Sequence, residues 1–174
     1  MTDSTTTPPD LKTLTGRWTL DPSLTTVSLT TKAVWVLPVR ATVSAVEGSG
    51  VVGDDGSVTG TLVLDAASVD TKNKKRDEHL RTADFFEVSK FPTFVINVSG
   101  ATATSPGHYD FDATVNLHGQ ERPVQLPGSV VVDQDVATVT VETDIDRSEW
   151  GITWAKMGAG LNNHVVVTAR FTKD

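Results

Sequence analysis

The chain has 174 residues and a formal net charge of −7, with 15 lysines and arginines against 22 aspartates and glutamates, and no cysteine. The acidic balance leaves no electrostatic footprint for nucleic acid, and without thiols there are no disulfide staples, thiolate nucleophiles, zinc fingers or iron–sulfur ligands. The 26 Thr and 25 Val against 12 Leu and 3 Ile exclude an all-helical bundle, because β-branched side chains lose rotamer freedom in a helix and suit the pleated face of a sheet.

Residues 1–12, rich in Thr, Pro and Asp, are expected to form a flexible tail, leaving residues 13–174 as one domain. Met1 to Asp10 has neither a basic n-region nor an apolar h-region, which implies retention in the cytoplasm. No apolar stretch approaches the ~20 residues of a membrane span. From Gly16 onward the hydrophobic pattern has period two, sending alternate side chains to opposite faces of a sheet. Trp18 and Leu20 share a face, then Val27 and Leu29, then Val39, Ala41, Val43 and Ala45. Asp54-Asp55-Gly56 reads as a hairpin turn leading into a strand from Ser57 to about Ala67. Further strands carry Phe94/Ile96/Val98, Tyr109/Phe111/Ala113/Val115/Leu117, Val124/Leu126/Val130/Val132, Val139/Val141/Ile145 and Val165/Val167/Ala169/Phe171. Eight or nine strands joined by short turns give an antiparallel meander, and closing it removes both exposed edges. The fold expected is all-β: an up-and-down, lipocalin-like barrel of about eight strands with a short helix, a two-sheet sandwich being the alternative.

Two stretches break the strand pattern. Residues 69–82 suit a helix of two to three turns, capped by Asp70 or Thr71, with Asp77 and Arg81 at ion-pair spacing. Residues 147–162 form a loop too long to be a plain connection. It carries Trp150, Trp154, Met157 and Leu161, and is expected to fold over one end of the barrel.

Ala67-Ser-Val-Asp-Thr71, Arg76-Asp-Glu-His-Leu80, Asp84-Phe-Phe86 and Phe91-Pro92 together resemble the signature of the YceI-like family of polyisoprenoid-binding proteins. Trp18-Thr-Leu-Asp-Pro22, Leu117-His-Gly119, Arg122-Pro-Val124 and Asp146-Arg-Ser-Glu-Trp-Gly151 extend the resemblance over nearly the whole chain, in the expected order. One departure stands at Leu24-Thr25, where the family has His-Ser. The resemblance implies a barrel that holds a long isoprenoid chain, such as a quinone tail or a polyprenyl phosphate, for transport or storage. It also admits a homodimer, and family members are often exported.

The candidate ligand-lining residues are Leu29, Trp35, Phe86, Phe94, Ile96, Phe111, Val115, Leu117, Val139, Val141, Trp150, Trp154, Met157 and Val167. Arg76, His79 and Arg81 are candidate head-group contacts. No Gly-x-Ser-x-Gly elbow or phosphate-cradling loop is present, and His79, His108, His118 and His164 lie on separate elements without metal-ligand spacing. No catalytic residue, metal or cofactor is therefore expected, apart from the lipid itself as ligand. Two other readings are an enzyme on an isoprenoid-like substrate using Arg76, Asp77 and His79, and a filled barrel that acts through its surface as a stress-related or partner-binding module.

Overall fold

The computed structural model describes residues 10–31, 38–155 and 160–174. Among these are nine strands: β1 (Gly16–Leu20), β2 (Thr26–Thr31), β3 (Val39–Val52), β4 (Val58–Asp70), β5 (Thr93–Ser105), β6 (His108–Leu117), β7 (Gln120–Asp133), β8 (Val136–Asp146) and β9 (Asn162–Lys173), with one α-helix, α1 (Lys74–Leu80). All pairings are antiparallel, and they run β2-β9-β8-β7-β6-β5-β4-β3 and back to β2. The result is a closed antiparallel barrel with eight staves.

The ninth strand adds no stave. β1 pairs with Ser49–Val52 and Phe171–Lys173, whereas β2 pairs with Val39–Val43 and Asn163–Thr168 of the same two neighbours. β1 and β2 therefore lie end to end in one slot. Asp21-Pro22 causes the break, since proline cannot donate to the ladder. Asp21 caps the 3-10 turn Pro22–Leu24 by accepting from the Ser23 amide. Opposite the gap, the buried Thr25 hydroxyl accepts from the Arg170 amide, which would otherwise lack a partner.

Period two decides which side chains meet inside. Ile96 pairs with Val115, Val130 with Val139, and Val141 with Val167. These side chains fall into two groups along the barrel axis. At the end formed by the β3–β4, β5–β6 and β7–β8 turns (the turn end), Leu14, Trp18, Val52, Tyr109, Phe111, Leu126, Val130 and Ala137 form one buried cluster. At the end carrying α1 (the helix end), Val27, Ala41, Val43, Leu64, Ala66, Val69 and Phe94 form the other. There the rings of Phe86 and Phe94 pack at 5.0 Å, nearly edge to face.

The 3-10 turn Leu11–Leu14 precedes β1, capped by the Asp10 carboxylate. It starts inside the stretch assigned from the sequence to the tail. Leu11 packs against the turn-end cluster and Leu14 belongs to it, so burial orders a segment whose composition reads as mobile.

The helix-end cluster should carry much of the stability, because it is filled with side chains. Phe94→Ala is expected to cost about 3–5 kcal/mol, as large-to-small core changes do, measured as a shift in the urea midpoint.

Candidate ligand-binding site

At the turn end the barrel is not filled. Leu11, Leu14, Trp18, Val52, Leu62, Ile96, Phe111, Leu126, Val130, Ala137, Val139, Val141, Val167, Ala169 and Phe171 surround a cavity of about 180 Å³. No Lys, Arg, His, Asp or Glu lines it, and Ser49, Thr59 and Thr61 border it by backbone, since they alternate with Gly50, Gly60 and Leu62 and turn their side chains outward. The Trp18 indole donates to the Leu14 carbonyl at 2.9 Å, and Trp18 lines the space together with Phe111, Phe171 and aliphatic residues. Sidedness follows from strand register, since inward positions recur at every second residue.

Of the residues singled out in the sequence, Ile96, Phe111, Val139, Val141 and Val167 stand in this wall. Leu29, Phe86, Phe94 and Leu117 stand with the helix-end cluster instead. Val115 is buried beneath Trp150, whose indole donates to the Val115 carbonyl at 2.8 Å. Trp35 and Met157 lie outside the described residues. Leu24, at the departure from the family pattern, is exposed on the 3-10 turn before β2. Leu11, Leu14, Trp18, Val52, Val130 and Ala137 are wall residues that were not singled out. Leu11 lay in the stretch assigned to the tail, Trp18 and Val130 read simply as strand positions, and Leu14, Val52 and Ala137 fell outside the strands read from the pattern.

At the helix end the polar residues hold backbone. The N-cap of α1 is Asn73, which accepts from the Arg76 amide, rather than Asp70 or Thr71. Asp70 instead turns to Lys72. Asp77 is buried and accepts from the amide and hydroxyl of Thr71 at 2.9 and 2.6 Å, so the expected pair with Arg81 is not made. Arg81 donates to the carbonyls of Ala67 and Val69, and Arg76 to the hydroxyl and carbonyl of Thr71. These bonds satisfy backbone groups where the chain leaves β4. His79 faces Asp84 at 2.8 Å and packs edge-on against Phe85 and Trp154, at 5.1 and 4.6 Å.

The segment after β8 closes the same end. Asp146 caps the 3-10 turn Arg147–Trp150, and Gly151 ends it in the left-handed conformation at φ 79°. A helical face shared by Trp150 and Trp154 does not form, because the turn stops at Trp150. Arg147, buried and lying 5.1 Å over the Phe85 ring, donates to the carbonyls of Ile152, Trp154 and Gly160. Burial lowers its pKa from the ordinary arginine value. Trp150 and Ile152 are each 1% exposed. The loop therefore covers the helix end, and its two indoles meet protein rather than the cavity.

The Leu117-His118-Gly119 and Phe91-Pro92 motifs also meet at this end. His118 packs on Phe91 at 4.7 Å, and Gly119, at φ 71°, passes so close that a Cβ would collide with that ring. Among the described residues, no group of three or more His, Asp or Glu is placed to hold a metal ion.

A closed antiparallel barrel with an apolar chamber inside is the lipocalin-like class of fold, in which about eight strands leave space for one small ligand. The chain belongs to the YceI-like family: the YceI-like domain matches residues 18–172. A UPF0312 protein from Azotobacter vinelandii is 38% identical over 63 residues, 36% of this chain and 33% of that protein. One from Ectopseudomonas mendocina is 34% identical over 71 residues, or 41% and 37%. These matched stretches thus span little more than a third of the curated relatives. Among solved structures, Burkholderia cenocepacia BcnA superposes with a TM-score of 0.76 at 17% identity, covering 87% of this chain and 98% of that one. A polyisoprenoid binding domain from Saccharophagus degradans, implicated in plant cell wall breakdown, gives 0.74 at 15% identity, covering 90% and 98%.

Arg147→Leu is expected to destabilise the fold by roughly 3 kcal/mol or more, since three carbonyls lose their donor at a cost of about 1 kcal/mol or more each; thermal unfolding measures it. On the barrel exterior, His164 bonds Asp144 at 2.8 Å and Glu142 at 2.6 Å. Those two bonds, Asp144 first, raise its pKa above the ordinary 6.5. The stabilisation is complete below the unfolded value and is lost as pH rises through the raised one. An NMR titration of His164 should have a midpoint above 6.5 that falls toward the ordinary value in Asp144→Asn.

Proposed function

We propose that this protein binds an isoprenoid or similarly apolar lipid inside the barrel and carries or stores it without converting it. The observation that carries this reading is the chamber of about 180 Å³ with no charged residue in its wall. Transfer of apolar surface from water into such a space is favourable and needs no directional contact. A cavity of about 150 Å³ lined by Leu, Ile and Phe stays dry and takes up benzene. The chamber has comparable room, so it suits roughly one isoprene unit, contributing about 4 kcal/mol at ~0.8 kcal/mol per buried CH₂. A longer chain continues out through an end of the barrel.

Isoprenoids are preferred among apolar ligands because a domain of this fold is named for polyisoprenoid binding. Binding is favoured over conversion because Arg76, Asp77 and His79, the residues an enzymatic reading requires, are each engaged in bonds that hold loops. A filled barrel acting through its surface would have no need of the chamber.

Native mass spectrometry of freshly expressed protein, followed by organic extraction, is expected to recover a lipid with a prenyl chain. An empty barrel that also fails to take up added isoprenoid ends this reading. Ala137, in the chamber wall and 6% exposed, gives a second test. Ala137→Phe should fill the space and abolish uptake, followed by quenching of tryptophan fluorescence, at a stability cost of about 1–3 kcal/mol or less.

A further inference from the structure

We propose that the chamber is loaded through the turn end, past Leu11 and Leu14, and that the carboxylates around that end make it accept isoprenoids with an uncharged head, an alcohol or a quinone ring, over polyprenyl phosphates. This rests on the lipid-binding reading above.

The two ends differ in how they are held. At the helix end, Trp150 and Arg147 bind covering segments to barrel backbone by buried hydrogen bonds, over the buried core around Phe94. At the turn end, the chamber reaches the 3-10 turn Leu11–Leu14, and both leucines form part of its wall. The bonds that shape this turn are internal: the Lys12 amide and the Thr13 hydroxyl donate to Asp10, and the Thr15 hydroxyl to the Lys12 carbonyl. Its hydrogen bonds to the barrel wall are a long one from the Thr15 hydroxyl to the Gly53 carbonyl, at 3.4 Å, and the Trp18 indole bond to Leu14. Among the described residues, displacing the turn breaks no strand ladder, which begins only at Gly16, so this is the end that opens at least cost.

Charge at that end is one-sided. Asp10 caps the turn, Asp54 and Asp55 form the β3–β4 turn, Asp133 and Asp135 flank the β7–β8 turn, and Asp174 follows β9. Facing them are Lys12, Arg17 and Lys173, the last with its ammonium 6.0 Å from the centre of the Trp18 ring. A diphosphate left at this rim would meet an excess of like charge, while the wall below offers it no cation. An alcohol or quinone loses nothing there.

The chain has no cysteine of its own, and a Cβ built at Gly56 lies 3.9 Å from the Leu11 Cβ, within the span of a disulfide. Leu11→Cys with Gly56→Cys therefore clamps the turn when oxidised, and the reduced form of the same variant controls for strain at Gly56. Geranylgeraniol and geranylgeranyl diphosphate serve as probes, with uptake followed by tryptophan fluorescence. The reduced protein should bind the alcohol roughly tenfold more tightly than the diphosphate, a gap that narrows in about 1 M salt. Oxidation should slow alcohol uptake by about tenfold or more, as closing a lid does. Asp54→Lys with Asp135→Lys, both at exposed turn positions, should narrow the preference without the clamp. Equal uptake rates in the oxidised and reduced forms, a tighter diphosphate, or a preference unmoved by the two lysines would overturn the inference. Uptake of neither probe by wild-type protein would bring down the lipid-binding reading, and this inference with it.

Discussion

Closure of the sheet is the constraint on which everything else depends. Once β3 and β4 join the two ends of the meander, every strand has neighbours on both sides, and a register slip in one stave would turn its apolar face outward against all the others. Closure also gives the barrel an inside that water leaves, along with two ends that must be covered. β1 and β2 show how firmly the ladder is kept. Where Asp21-Pro22 interrupts the stave, Thr25 supplies by side chain the bond that the missing backbone would have made.

The two ends are covered by different physics. The helix end is closed by polar groups anchored to carbonyls and amides: Arg147, Arg81, Asp77 and the Trp150 indole each satisfy backbone where the chain leaves regular structure. Such bonds are directional, and a buried partner left unmade is expensive, so the covering segments have one arrangement. The turn end is closed mainly by Leu11 and Leu14, whose apolar contacts are non-directional. A cover of that kind can move aside and be replaced by a ligand chain of the same chemistry.

This division gives the most recognisable motifs of the chain a different role from the one their chemistry suggests. Arginine, aspartate and histidine in one short run invite a reading as a head-group or catalytic site, yet here they brace the exit from β4. The chamber is made instead by residues with no distinctive signature. Val, Ala, Leu and Phe at alternate positions would read identically in a filled barrel, because whether space remains among them depends on the summed volume of eight staves and on what enters from each end.

Sequence alone was enough for the strand count, the in-and-out alternation and the family, since each depends on local periodicity or contiguous motifs. It placed Ile96, Phe111, Val139, Val141 and Val167 on an inward face, and these line the chamber. It could not say that Phe94 and Leu29, inward on the same alternation, sit with the filled core instead, because period two specifies the face of a strand and not the height along the barrel. Nor could it show that Leu11, in a run of Thr, Pro and Asp, is ordered. That follows from packing against the turn-end cluster, which includes Trp18, Val52 and Phe111, residues far apart in the chain that only the closed barrel brings to one end.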